Sequence, residues 1–317
     1  MRQLLCAVLA AAPIATLSAP AFSQPPVTHA SHAFDLAEAD LIPETIAYDV
    51  TTSRWLISSV RQAKIIFADG KSFARTPWPV FALAIDAQRR LLWATTAVVP
   101  QCAVCSDTQH EHSALLAFNL DTGAELRRLP SPIDGVLGDM VLGPNGDVFV
   151  SEGMHGAVYR LRQGATALDR LDAPGDFHSP QTPVLSADGK TLFVPDYDRG
   201  IAALGLADRR VRWLPAAAGI TVAGIDGLYM DRGWFIAVQN GTSPERIIRV
   251  SADLQKLQVL ESGWPGLGES THGVVVGRRF YFLANTGWDT FDAQGHKMPG
   301  SQPVISSVWS LPLDALP

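Results

Sequence analysis

A chain of 317 residues that is 47% hydrophobic and 18% charged carries enough apolar material for a sizeable core and reads as a soluble globular protein. Its formal net charge of −6, with no basic run, excludes a nucleic-acid surface from the expectation. Twenty-six glycines and 22 prolines imply many turns, which favours an all-β fold.

In chain order, residues 1–23, ending SAPAFS, read as a secretory signal peptide. Arg2 supplies the positive start, Leu4 to Leu17 the apolar stretch, and the Ala-Pro-Ala and Ala-Phe-Ser runs small-residue cleavage sites. Pro13 and Pro20 break the run, which is shorter than the roughly 20 apolar residues of a membrane span. No later segment is long enough to span, so the mature chain, 24–317, is expected in the periplasm or outside the cell as one domain.

The body then repeats. PETIAYDVTTSRWLISSV (43–60) and VFALAIDAQRRLLWATTA (80–97) each give a short apolar strand, an aspartate, a polar turn and a second apolar strand. The same plan returns at 137–153, 180–198, 225–241 and 271–287, with chain-reversing turns such as PNGD, ADGK and DRG. Third strands follow at 157–162, 200–206, 246–251 and 307–313, and 114–129 supplies a further strand and hairpin arm. Six such units predict an all-β six-bladed β-propeller. The last unit lacks a strand, which the segment near 32–38 is expected to lend.

Counting five positions back from the first turn of each unit gives Glu44, Phe81, Gly138, Gln181, Asp226 and His272. In a propeller these entrances to the innermost strands form a ring at one mouth of the central channel, with Asp139 beside it. Two converging carboxylates, Glu44 and Asp226, repel unless a cation or proton intervenes. With the amide oxygen of Gln181 they make a divalent metal site. Oxygen ligands favour Ca²⁺, and a histidine admits Zn²⁺ or Mn²⁺. Phe81, Gly138 and Asp139 complete the pocket.

Between the second and third ring positions, 98–113 breaks the repeat. Cys102, Cys105, His110 and His112 are spaced C-x2-C-x4-H-x-H, which suits either a small Zn²⁺ or Cu site or a local Cys102–Cys105 disulfide. An oxidising compartment favours the disulfide. Asn240-Gly241-Thr242 fits an N-glycosylation acceptor. Trp78 and Trp264 sit in Pro-rich loops that precede mouth strands. No G-x-S-x-G elbow is present, so a serine hydrolase has no support.

The phrases PETIAYD, DMVLGPNGDVFVSEGMHGAVYRL, LSADGKTLFVPDYDRGIAAL and GIDGLYMD give the chain a resemblance to the senescence marker protein (regucalcin)/gluconolactonase/luciferin-regenerating enzyme family of six-bladed propellers. The resemblance implies a divalent cation, often Ca²⁺, at the channel mouth and hydrolysis of sugar lactones. It assigns Glu44 and Asp226 as ligands, Asp226 also as catalytic base, and Asp139 to the aspartate of an Asn-Asp pair. His272 is a second candidate for proton transfer. The sequence departs from the family where Gly138 replaces the asparagine of that pair and Gln181 replaces a blade-four asparagine. The arginine expected just upstream is also missing from 135–138, GVLG. The expected partner is a small-molecule substrate or ligand, with a protein partner compatible. The alternative is a non-catalytic binding propeller whose metal is structural or absent.

Overall fold

A computed structural model describes residues 25–106 and 112–314. The signal-peptide expectation and His110 lie outside these residues. Six four-stranded antiparallel sheets form the blades, and no α-helix occurs among the described residues. From the channel outward, the first five blades take four consecutive strands and the sixth takes three and borrows its fourth. They begin at Ile46–Asp49, Val80–Asp86, Leu137–Leu142, Val184–Leu185, Gly227–Asp231 and Gly273–Val276.

The sixth blade closes the ring with the oldest part of the chain. Its outermost strand is Ser31–Asp35, which pairs antiparallel with Ser307–Pro312, as the missing strand in the repeat predicts. Joining the first and last segments in one sheet ties the ends of the circle, so no blade can peel away without breaking a ladder.

Each sheet is apolar on both faces because it has a neighbour on both. The core is accordingly six separate inter-blade clusters. One packs Ala47, Leu56 and Ile65 against Val80, Leu92 and Leu116, and another packs Ile236 and Ile247 against Phe280 and Phe282. This two-sided burial explains near-continuous apolar runs such as LLWATTA and SALLAFN, where one-sided sheets would alternate.

On the face away from the mouth, charged pairs link blades. Asp49, buried at the end of the first innermost strand, receives two hydrogen bonds from Arg90 of blade two, at 3.0 and 2.9 Å. The guanidinium, by its hydrogen bonds first, holds Asp49 down at about 2. A depressed carboxylate stabilises the fold above its unfolded value near 4, and that stability is lost as pH falls through about 2. Asp49→Asn is therefore expected to cost about 2 kcal/mol in urea unfolding at pH 7. The gap from wild type should close as pH approaches 2, and an unchanged gap would rule the pair out as its source.

Candidate functional site

The innermost strands enter at one mouth, and their first residues build two layers. In blades one, five and six the count runs from the last ladder pair of the inner hairpin. Those pairs are Asp49↔Arg54, Asp231↔Trp234 and Val276↔Arg279. Five residues back lie Glu44, Asp226 and Thr271, so the sixth ring position belongs to Thr271 and His272 sits one residue deeper. The sequence count is anchored on Gly277, which lies in the turn, whereas the strand ends at Val276. Glu44, Gln181, Asp226 and Thr271 line the mouth, a cavity of about 320 Å³. Thr45, Ala82, Asp139, Thr182 and His272 line the next layer down, at the end of a channel cavity of about 390 Å³.

His272 crosses the channel axis. Nδ1 lies 2.9 Å from the backbone carbonyl oxygen of Glu44, which can only accept, so Nδ1 donates. Nε2 lies 2.9 Å from Asp139 Oδ1 and 2.8 Å from Thr182 Oγ1. With Asp139 ionised both ring nitrogens donate, and the ring is an imidazolium. Burial alone would lower its pKa, but the charges of Asp139 and then Asp226 outweigh burial and push it up to about 10. One side chain thus ties blade six to blades one, three and four. The imidazole expected to take a proton during catalysis has both nitrogens engaged as donors.

Above it, Glu44 and Asp226 converge. With His272 they form a group whose ligand atoms all lie within 4.8 Å of one another. Glu44 Oε2 accepts a 2.7 Å bond from Trp288 Nε1, and Asp226 Oδ2 accepts a 2.8 Å bond from Asn240 Nδ2. Each carboxylate therefore has one oxygen fixed by a neutral donor. The other oxygens, Glu44 Oε1 and Asp226 Oδ1, lie 3.9 and 4.0 Å from the His272 ring nitrogens. Burial first, then the charge of Asp226, raises Glu44 to about 8; burial and the charge of Asp139 raise Asp226 to about 6 against the opposing pull of His272. Fully ionised, Glu44, Asp226 and Asp139 with one imidazolium carry a net charge of −2, which one divalent cation would balance.

Gln181 lines the same mouth. Its Nε2 donates to Ser179 Oγ at 2.9 Å and to the Ser179 carbonyl at 3.2 Å, which leaves Oε1 for the cavity. Gly138 contributes a carbonyl that accepts from Thr95 Oγ1, and no atom lies within 4 Å of where its Cβ would be. Phe81 is turned away into an apolar cluster with Ile42, Val60, Ala97 and Phe291, and lines neither cavity.

Trp288, Tyr197, Asn240 and Glu269 are among the mouth residues that sequence reasoning missed. Trp288 arrives on the loop between the second and third strands of blade six, at residues 285–306. Left-handed Gly287 (φ 83°) and a 3-10 turn, Trp288–Thr290, aim it inward. Tyr197 donates to Asn240 Oδ1 at 3.0 Å, so Tyr197, Asn240 and Asp226 form a hydrogen-bonded chain. Asn240 reads in sequence as a glycan acceptor, yet its amide nitrogen is spent on Asp226 and on the Ser270 carbonyl at 3.1 Å. Chain secreted from a glycosylating host is expected to show no glycan mass at Asn240. Asn240→Ala should cost about 1–3 kcal/mol, read by denaturant unfolding.

Residues 100–101 of the 98–113 insertion lie beside the Trp288 loop. Cys102 and Cys105 are joined in a disulfide. Gln101 donates to the Asp292 carbonyl at 3.1 Å, and Arg61, over the Phe291 ring, donates to the Gln101 carbonyl. His112 packs against Trp78, 5.7 Å between ring centroids. Trp264 borders a side chamber next to the mouth with Glu245, Glu269 and Asp289.

The six sheets around one axis define the fold class, a six-bladed β-propeller. No protein-family model matches the chain, and no curated protein matches it in sequence. Among solved structures, it is similar to a gluconolactonase from Xanthomonas campestris, with a TM-score of 0.61 at 18% identity over 97% of this chain and 99% of that one. A calcium-binding regucalcin from Agrobacterium tumefaciens is similar at TM-score 0.62 and 16% identity, over 88% and 93% of the two chains. Virginiamycin B lyase from Staphylococcus aureus shares the fold less fully, with a TM-score of 0.57 at 16% identity over 80% and 81%. At these identities the likeness establishes the fold.

Proposed function

We propose that this chain is an exported, cation-dependent hydrolase of lactones or related cyclic esters, acting at the channel mouth. The observation that carries the reading is the convergence of Glu44 and Asp226 over His272, each with one oxygen fixed and one turned to a shared point. Glu44 Oε1, Asp226 Oδ1 and the Gln181 amide oxygen would hold the cation. An all-oxygen set favours Ca²⁺, and the engaged nitrogens of His272 give Zn²⁺ less to bind. Export is supported by the sequence of residues 1–23 and by the Cys102–Cys105 disulfide.

A bound divalent cation supplies Lewis-acid polarisation of the ester carbonyl. Trp288 and Asn240 keep the two carboxylates from rotating, so their free oxygens stay aimed at the reacting group. Asp226 keeps a lone pair on Oδ1 to take the proton of the attacking water. That water's oxygen bonds to the carbonyl carbon, the ring C–O bond breaks, and Asp226 returns the proton to the leaving alkoxide. His272 stays protonated below, offsetting the carboxylate charge.

A second reading, a binding propeller without catalysis, is favoured by Gly138, which places no side chain where the family has an asparagine. Metal analysis of protein purified without chelators, combined with a panel of γ- and δ-lactones, separates the two. Stoichiometric cation with turnover that stops on chelation supports the hydrolase. A bound cation with no turnover supports the second reading, and loss of neither cation nor turnover in Asp226→Asn would sink the site.

A further inference from the structure

We infer that the mouth selects its ligand by charge, accepting neutral and cationic lactones and rejecting anionic ones, with Glu269 as the specificity-determining residue. This rests on the lactone reading of the same site and adds the substrate class. The lining of the mouth includes three carboxylates, Glu44, Asp226 and Glu269, and neither lysine nor arginine. Elsewhere in the fold buried carboxylates do hold an arginine: Asp49 holds Arg90, Asp147 holds Arg160 and Asp172 holds Arg170.

Glu269 stands where two cavities meet, bordering both the mouth and the side chamber of about 350 Å³. Its Oε2 is fixed by the Asp289 backbone N–H at 2.9 Å. Its backbone carbonyl accepts from Thr286 N and Oγ1, both at 3.0 Å, which pins the loop it rides on. The side chamber adds Glu245 and Asp289, again without lysine or arginine, and the ring of Trp264. A cation between Glu44 and Asp226 would neutralise those two groups and leave Glu269, which burial and then the charge of Asp289 raise to about 7, negative above that pH with no lysine or arginine lining either cavity. An anionic ligand then meets a field of its own sign in a partly desolvated cleft, where charge is poorly screened. An ammonium group meets a fixed carboxylate and an aromatic wall.

The test uses the purified mature chain and three lactones of one ring size: α-amino-γ-butyrolactone, α-hydroxy-γ-butyrolactone and a γ-butyrolactone bearing a γ-carboxylate. The expected kcat/KM falls at least about 100-fold from the ammonium to the carboxylate member. Glu269→Gln keeps the oxygen that accepts from Asp289 and is expected to shrink the ammonium-to-hydroxy ratio about tenfold. Calorimetric binding of the three matching lactams, which are not turned over, reads charge selection apart from chemistry. Lactams ranked in the expected order without lactone turnover would leave the inference standing and overturn the hydrolase reading. Lactone turnover without a charge order, or an order that Glu269→Gln leaves intact, would overturn the inference. Neither turnover nor ranked binding overturns both.

Discussion

Replacing Glu44 with glutamine is expected to move stability in opposite directions with and without a divalent cation. In chelator, wild-type Glu44, raised to about 8 by burial and Asp226, must either take up a proton near neutral pH or repel Asp226, and both cost stability. Glutamine keeps an oxygen to accept from Trp288 and removes the repulsion. Stability in chelator should therefore rise by about 1–2 kcal/mol, or a few degrees in Tm. With saturating Ca²⁺ the wild type should gain about 3 kcal/mol by linkage at a hundredfold excess over Kd, and Glu44→Gln should gain far less. Differential scanning calorimetry in chelator and in Ca²⁺ reads both arms. A variant that is less stable than wild type in chelator would mean that Glu44 is held by the protein alone and needs no cation.

His272→Ala is expected to be the most destabilising change at the mouth. The ring is 2% exposed and is bonded on both nitrogens, so its loss strands the Asp139 carboxylate and the Thr182 hydroxyl in the channel wall. Removing one partner of a buried charged pair costs about 3–5 kcal/mol, which for a chain of this size is about 10 °C. Adding Asp139→Asn to His272→Ala should recover part of that loss, because the stranded charge goes with its partner. The pair of variants also separates two roles for the ring. A His272→Ala protein with wild-type Tm but no turnover would assign it to proton transfer, and would contradict the bridging role given to it here.

Much of the architecture is readable from the chain because it depends on local pattern. Turn residues and apolar runs mark each hairpin, and six hairpins plus a missing strand imply both the ring and its closure by Ser31–Asp35. Outermost strands such as Ser72–Arg75 and Val211–Trp213 are short and partly exposed, and they carry little periodic signal. Glu44 and Asp226 are legible as a pair because equal spacing from a turn implies equal height in a propeller. His272 is misjudged by one layer because the sequence does not show whether Gly277 ends the strand or begins the turn.

Repeat period and strand alternation are enough to imply the all-β ring and the convergence of Glu44 with Asp226. Only the tertiary structure decided what surrounds them. Trp288 reaches Glu44 across 244 positions, Asn240 turns from apparent glycan acceptor to partner of Asp226, and His272 spans the channel to Asp139 and Thr182. These contacts join different blades, and the distance between blades is set by the packing of six sheets around an axis. No local pattern carries that distance.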